Sequence, residues 1–132
     1  MIDRIYLGDR TVKDITLSSW DKIVRIKIDC ISRLKRGTEK WGFYDEEDLE
    51  DGYLVFSSVS NFQIIPPGAI PDDYIVDYSF EKTDSNESIF KIISGGMVPD
   101  RPGNRGECHI IIKYQESWLE NSLAEKIDDT VN

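Results

Sequence analysis

Alternation of apolar and polar residues is the dominant rhythm of the chain. From Lys22 to Arg33, KIVRIKIDCISR sets Val24, Ile26, Ile28 and Cys30 on one face and Arg25, Lys27, Asp29 and Arg33 on the other. That period of two predicts a half-buried strand. VKDITL, from Val12 to Leu17, predicts a shorter strand before it, and SSWD supplies turn-forming side chains between the two, so together they predict a hairpin.

Further along, YLVFSSVSNFQII (Tyr53 to Ile65) holds Leu54 and Phe56, then Phe62 and Ile64, on one phase, which Val59 interrupts among serines. A bulge or a strand-to-strand corner at Ser57 to Ser60 accounts for the break. PPGAIP stops any ladder, because proline lacks an amide donor. DYIVDYSFE predicts a strand with Tyr74, Val76, Tyr78 and Phe80 inward, and KTDSNES a polar loop to the strand SIFKIIS. GGMVPDRPGNRGE (Gly95 to Glu107) is rich enough in glycine and proline to predict a long hairpin loop. It leads into CHIIIKYQE, read as the last strand, with Cys108, Ile110, Ile112 and Tyr114 in phase. In SWLENSLAEKIDDTVN, Trp118, Leu119, Leu123 and Ile127 recur at helix-like spacing behind a Ser117 cap, which predicts a short helix over about 117–127 and a frayed tail over 128–132. The class expected is mainly β: an antiparallel β-sandwich or open barrel, with a short C-terminal helix.

With 132 residues, 39% hydrophobic and 31% charged, the chain suits one domain spanning 1–132 with an ordinary core. The start MIDRIYLGDR lacks the basic and apolar parts of a signal peptide, and no apolar run reaches membrane-spanning length, so the expected compartment is the cytoplasm. A reducing compartment makes Cys30 and Cys108, both on apolar strand phases, free buried thiols rather than a disulfide. The formal charge of −9 repels nucleic acid and anionic membrane and attracts a basic protein. Six of those negative charges fall within Asp45 to Asp51, in the stretch FYDEEDLEDGYLVF.

Catalytic chemistry finds little support in this composition. The single histidine, His109, lies on the polar phase of a strand without a second histidine or a reactive cysteine motif beside it. ISGGMVPDRPGNRG is followed by a strand rather than a helix and lacks a GK[ST] signature, so its Arg101 and Arg105 belong to a hairpin loop rather than to a phosphate cradle. Counted from Asp45, the sixth and twelfth positions are Glu50 and Phe56, which fails the calcium loop of an EF-hand. No catalytic residue, cofactor or metal ligand is expected.

Three readings of the acidic stretch remain: a solvated turn, an irregular calcium site helped by Asp72 and Asp73, or a docking surface. Docking draws on Trp41, Tyr44 and Tyr53 as aromatic anchors, on Asp45, Glu46, Glu47, Asp48, Glu50 and Asp51 to steer a cationic partner, and on Asp72 and Asp73 as a second acidic contact.

Three stretches, YLGDRTVKDI, IDCISRLKRGTEKWGFYDEEDLEDGYLVFSSVSNF and PPGAIPDDYI, together resemble a family of small acidic bacterial proteins of unassigned function. Its pattern is a Y-G-D-R/H segment, an I-D-C-I-S-R strand, a W-x-F-Y-x-x-E-D-I-E-D-G segment and a P-P-G-x-x-P-N-D turn. The resemblance spans Tyr6 to Ile75, with Leu7 inserted in the first segment and Asp72 at the asparagine position of the last. It implies a similarity to toxin-immunity proteins such as those of contact-dependent growth inhibition. The expected function is therefore a non-enzymatic immunity protein that neutralises a cognate basic toxin domain, with a nuclease as the expected toxin; the alternative is a β-sandwich module for calcium or a small polar ligand.

Overall fold

Two antiparallel sheets face one another, as the alternating pattern requires. The computed structural model describes residues 5–33, 48–99, 103 and 105–127. Its strands in chain order are β1 (Ile5–Tyr6), β2 (Val12–Ser18), β3 (Ile23–Arg33), β4 (Leu49–Ser57), β5 (Asn61–Ile65), β6 (Ile75–Lys82), β7 (Ser88–Met97), β8 (Arg105–Tyr114), β9 (Glu116–Glu120) and β10 (Lys126–Ile127). One sheet runs β1-β3-β4-β9-β10, with β2 also paired to β3; the other runs β5-β8-β7-β6. The sheets do not close on each other, so the architecture is a sandwich.

The core lies where the apolar phases of β3 and β4 meet those of β7 and β8. Val24, Ile26, Ile28, Leu54 and Phe56 from one sheet, and Phe90, Ile92, Ile110 and Ile112 from the other, are fully buried. The Phe56 ring stacks on Phe90 at 4.9 Å and meets Tyr114 edge-on at 4.8 Å, which joins the layers by aromatic contact. The corner expected at Ser57 to Ser60 is where the chain leaves the first sheet for the second. Ser58 takes a left-handed φ of 51° there, and Ser60 N donates to Lys113 O at 2.9 Å.

Several expectations are corrected. Among the described residues there is no helix, and the segment expected to be one forms β9, a turn and β10. Leu119 is buried, whereas Leu123 is 76% exposed, so the apolar residues line no single helical face. Register shifts between Ile75 and Asp77, so Ile75 is the buried residue while Tyr74 and Val76 are 60% and 70% exposed, opposite to the phase expected of them; Tyr78 and Phe80, beyond the bulge, do pack against the core. Gly95 and Gly96 belong to β7, paired with Glu107 and Gly106. A side chain at Gly96 would collide with the carbonyl oxygen of Ile70, with Cys108 Sγ (2.6 Å) and with Pro71 Cα (2.9 Å), so glycine lets the loop between β5 and β6 cross the end of the sheet. Both cysteines are free and Cys108 is buried, but Cys30 is only half-buried.

Candidate functional site

The described parts of the segments singled out in the sequence converge at one end of the sandwich. Asp9, Arg10 and Thr11 staple the sheets together: Asp9 N donates to Ile75 O (3.1 Å), Ile75 N to Arg10 O (2.7 Å), and Thr11 bridges Tyr74. On its other side Thr11 N donates to Asp29 Oδ1 (2.9 Å) and Asp29 N returns a bond to Thr11 O (3.1 Å). Arg10 is 7% exposed and gives a 2.6 Å hydrogen bond to Ser32 Oγ, whose hydroxyl lies 3.4 Å from Asp48 Oδ2. A buried guanidinium needs such acceptors around it. Asp48, expected as a docking carboxylate, is half-buried and accepts from Ser32 where the chain enters β4.

Cys30 Sγ lies 3.8 Å from the same Asp48 oxygen. Burial pushes this thiol's pKa up, with Asp48 and Asp29 adding to the shift against Arg10 and Ser32, so it stays protonated at neutral pH. This is not the setting of a nucleophile.

Beside this polar cluster the outer face of the first sheet carries exposed charge. The register that pairs Ile28 with Gly52 and Cys30 with Glu50 sets Asp29 opposite Asp51, two like charges across a strand pair. Asp51 adopts φ 53°, a conformation that aspartate tolerates better than most residues. At the bulge of β2, Lys13 reaches over β3 and bonds Asp51 Oδ1 at 2.7 Å. Its hydrogen bond and charge hold the Asp51 carboxyl below the usual range, while Asp51, and more weakly Asp29, raise the ammonium. One cation thus serves two carboxylates.

Tyr53 follows on the same face, with Lys27 Nζ 5.7 Å from its ring centre. Next, Val55 is fully buried between its cross-strand neighbours Arg25 and Trp118. Glu120 holds both in place, accepting from Arg25 Nε at 3.2 Å and from Trp118 Nε1 at 2.9 Å. Glu50 is exposed.

Asp72 and Asp73 sit beside the Tyr74 bridge, bonded by Arg105 from the start of β8. These hydrogen bonds and the negative charge raise the guanidinium's already high pKa, with Asp72 the larger contributor. Gly95 leaves room for Asp73, whose Cβ would stand 3.0 Å from a side chain there.

The structure thus brings Asp48, Glu50, Asp51, Asp72 and Asp73 to one end, with Tyr53 adjoining on the outer face; Trp41, Tyr44, Asp45, Glu46 and Glu47 lie outside the described residues, as do Arg101 and the tail over 128–132. Asp29, Lys13, Tyr74 and Arg105 are the site residues that the sequence reading did not gather. Strand register brings them in, and a single sequence carries no signal for register beyond the polar phase on which Asp29 already stood. Among the described residues no group of three or more histidine, cysteine, aspartate or glutamate side chains is arranged to hold a metal. The cations beside these carboxylates are the protein's own Lys13 and Arg105. His109 pairs with Glu107 at 2.8 Å on the outer face of the other sheet.

A family model described as a family of unknown function (DUF6258) matches residues 1–129. The chain belongs to DUF6258. The match runs well past the Tyr6 to Ile75 span of the expected resemblance and takes in both sheets of the sandwich. No curated protein matches this DUF6258 chain, and no solved structure does. Among the described residues no helix is long and apolar enough to cross a membrane.

Proposed function

We propose that the chain is an immunity protein that works in the cytoplasm without catalysis, binding a cationic toxin domain, a nuclease in the leading version, and covering its active site or substrate path. The observation that carries this reading is the gathering of carboxylates from β3, from the start of β4 and from the loop before β6 at one end of the sandwich, with Tyr53 adjoining and Tyr74 60% exposed among them. Aromatic anchors beside a one-signed rim give a partner both contact area and electrostatic guidance. In the sequence, Asp45, Glu46 and Glu47 run directly into Asp48 and add to the same sign. A calcium module is less favoured, because Lys13 and Arg105 already pair with carboxylates that would have to serve as ligands.

The test is association with a basic toxin domain, sought first in the genes that neighbour this chain's own. Steering predicts that the association rate falls by about tenfold or more between low and physiological salt. Glu46→Lys/Glu50→Lys reverses two charges without touching Asp48 or Asp51, and should slow association further while leaving the unfolding temperature in place. An association rate indifferent to both salt and the double substitution would remove the acidic end from the interface.

A further inference from the structure

The longest uncharged stretch in the chain runs for 20 residues, from Gly52 to Pro71, between Asp51 and Asp72. In a sequence that is 31% charged, such a run needs a reason. Burial supplies it for Leu54, Val55 and Phe56, but not for β5 and the loop after it, where Asn61, Gln63, Ile65, Pro67, Gly68 and Ile70 are exposed.

β5 is an edge strand, bonded to β8 on one side only. The other long edges of the sandwich are guarded in the usual ways against pairing with a stray strand. β2 carries Lys13, Asp14 and a bulge. β6 carries Asp77, Glu81, Lys82 and a bulge, and Asp77 caps the neighbouring Tyr78 amide at 2.9 Å. β5, with the sequence NFQII, has no charge and no bulge, and only Pro66 marks its end.

We infer that the free edge of β5 pairs with β5 of a second copy of this chain, antiparallel about a two-fold axis at Gln63, joining the two four-stranded sheets into one. The sequence is self-complementary in that register. Phe62 of one copy faces Ile64 of the other on the inner side, where both are half-buried because the core opens at this edge. On the outer side Gln63 meets Gln63, and Asn61 meets Ile65, which is 42% exposed.

The choice of occupant rests on charge. Two copies each carrying −9 repel, so they can approach only over an uncharged strip, and this edge provides one. A basic partner would have no such need. β6 and the acidic end lie across the sheet from β5, so pairing leaves them open.

Sedimentation of the whole chain over a wide concentration range tests this. A five-residue pairing predicts a concentration-dependent rise from 15.2 kDa towards twice that mass, strengthened by added salt, which is the opposite salt response from toxin binding. Gln63→Lys and Gln63→Glu, each setting like charges against each other on the axis, should each stay at the single-chain mass, and an equal mixture of the two should recover the dimer. That recovery also certifies that both variants fold. A wild-type mass fixed at one chain, dimers that persist in either variant, or a mixture that stays monomeric would each overturn the inference.

Discussion

Replacing Phe56 and Phe90 with leucine, singly and together, measures the contact that joins the two sheets. Phe56 comes from β4 and Phe90 from β7, both are fully buried, and their rings stack at 4.9 Å with 25° between planes. Leucine keeps an apolar side chain but removes the ring. Each single change should cost about 1–2 kcal/mol, between a volume-conserving swap and truncation to alanine. The stacked pair itself should appear as a coupling of about 0.5–1.5 kcal/mol, so the double variant loses less than the sum of the singles. Against a total stability of about 5–15 kcal/mol the double variant still folds, which keeps the cycle measurable.

Urea unfolding is the assay, with the midpoint moving and the slope unchanged, because the surface exposed on unfolding stays nearly constant. Phe80, which meets Phe90 at 4.7 Å, supplies a second cycle within one sheet. Coupling between Phe56 and Phe90 within error of zero, alongside clear coupling between Phe80 and Phe90, would mean that the sheets do not meet through these rings and would refute the packing described.

Gly96→Ala should lower stability by about 1–3 kcal/mol, because its new methyl meets Cys108 Sγ at 2.6 Å and Pro71 Cα at 2.9 Å; an unchanged unfolding temperature would deny the loop crossing. Lys13→Met should bring the Asp51 carboxyl back up towards the ordinary aspartate range, read by carboxyl NMR titration. Because the folded Asp51 pKa is depressed, the bridge's contribution is complete above the ordinary aspartate value and disappears as pH falls through the lower folded value, so the variant should lose less stability over that acid window. An Asp51 titration unmoved by the substitution would contradict the bridge. Both thiol pKa values are raised chiefly by burial, so a disulfide reagent at neutral pH should modify Cys30 slowly and Cys108 only once the protein is unfolded. Rapid modification of both in the native state would oppose that picture.

Strands whose alternation ran unbroken could be read from sequence. CHIIIKYQE, and KIVRIKI as far as Ile28, needed only period two, whereas beyond Ile28 the adjacent Ile31 and Ser32 are both buried and Cys30 only half-buried; the serines between Phe56 and Phe62 marked the crossing between sheets. What failed was set by distant partners. SWLENSLAEK looks helical by spacing, yet the edge of β4 offers backbone groups from Tyr53 to Ser57 that β9 satisfies, and pairing outweighs a weak local preference. The phase of β6 departs from simple alternation because one extra residue at the bulge exchanges the faces on either side of it. For the site, the acidic content was legible and its division of labour was not: nothing local distinguishes Asp48, turned in towards Ser32, from exposed Glu50 two residues later.

That division decides how the acidic end can act on a partner. Lys13 and Arg105 each lie among two carboxylates, so the local excess stays negative even where every described ion pair is formed. Both cations are exposed, and exposed pairs contribute little to folding. An incoming guanidinium or ammonium can therefore share Asp51 or Asp72 at small cost to the fold. The Arg10, Ser32 and Asp48 cluster behaves differently, because Arg10 and Ser32 are buried, Asp48 is half-buried, and the three lie where Thr11, Tyr74 and Asp29 tie the sheets together. Removing Asp48 would take away the carboxylate that accepts from the Ser32 hydroxyl, the group bonded by the buried guanidinium, and loosen the entry to β4, so lost binding in an Asp48 variant would report on folding. Glu50, exposed on the adjoining strand, is the carboxylate whose reversal reads the electrostatics of docking separately from the fold.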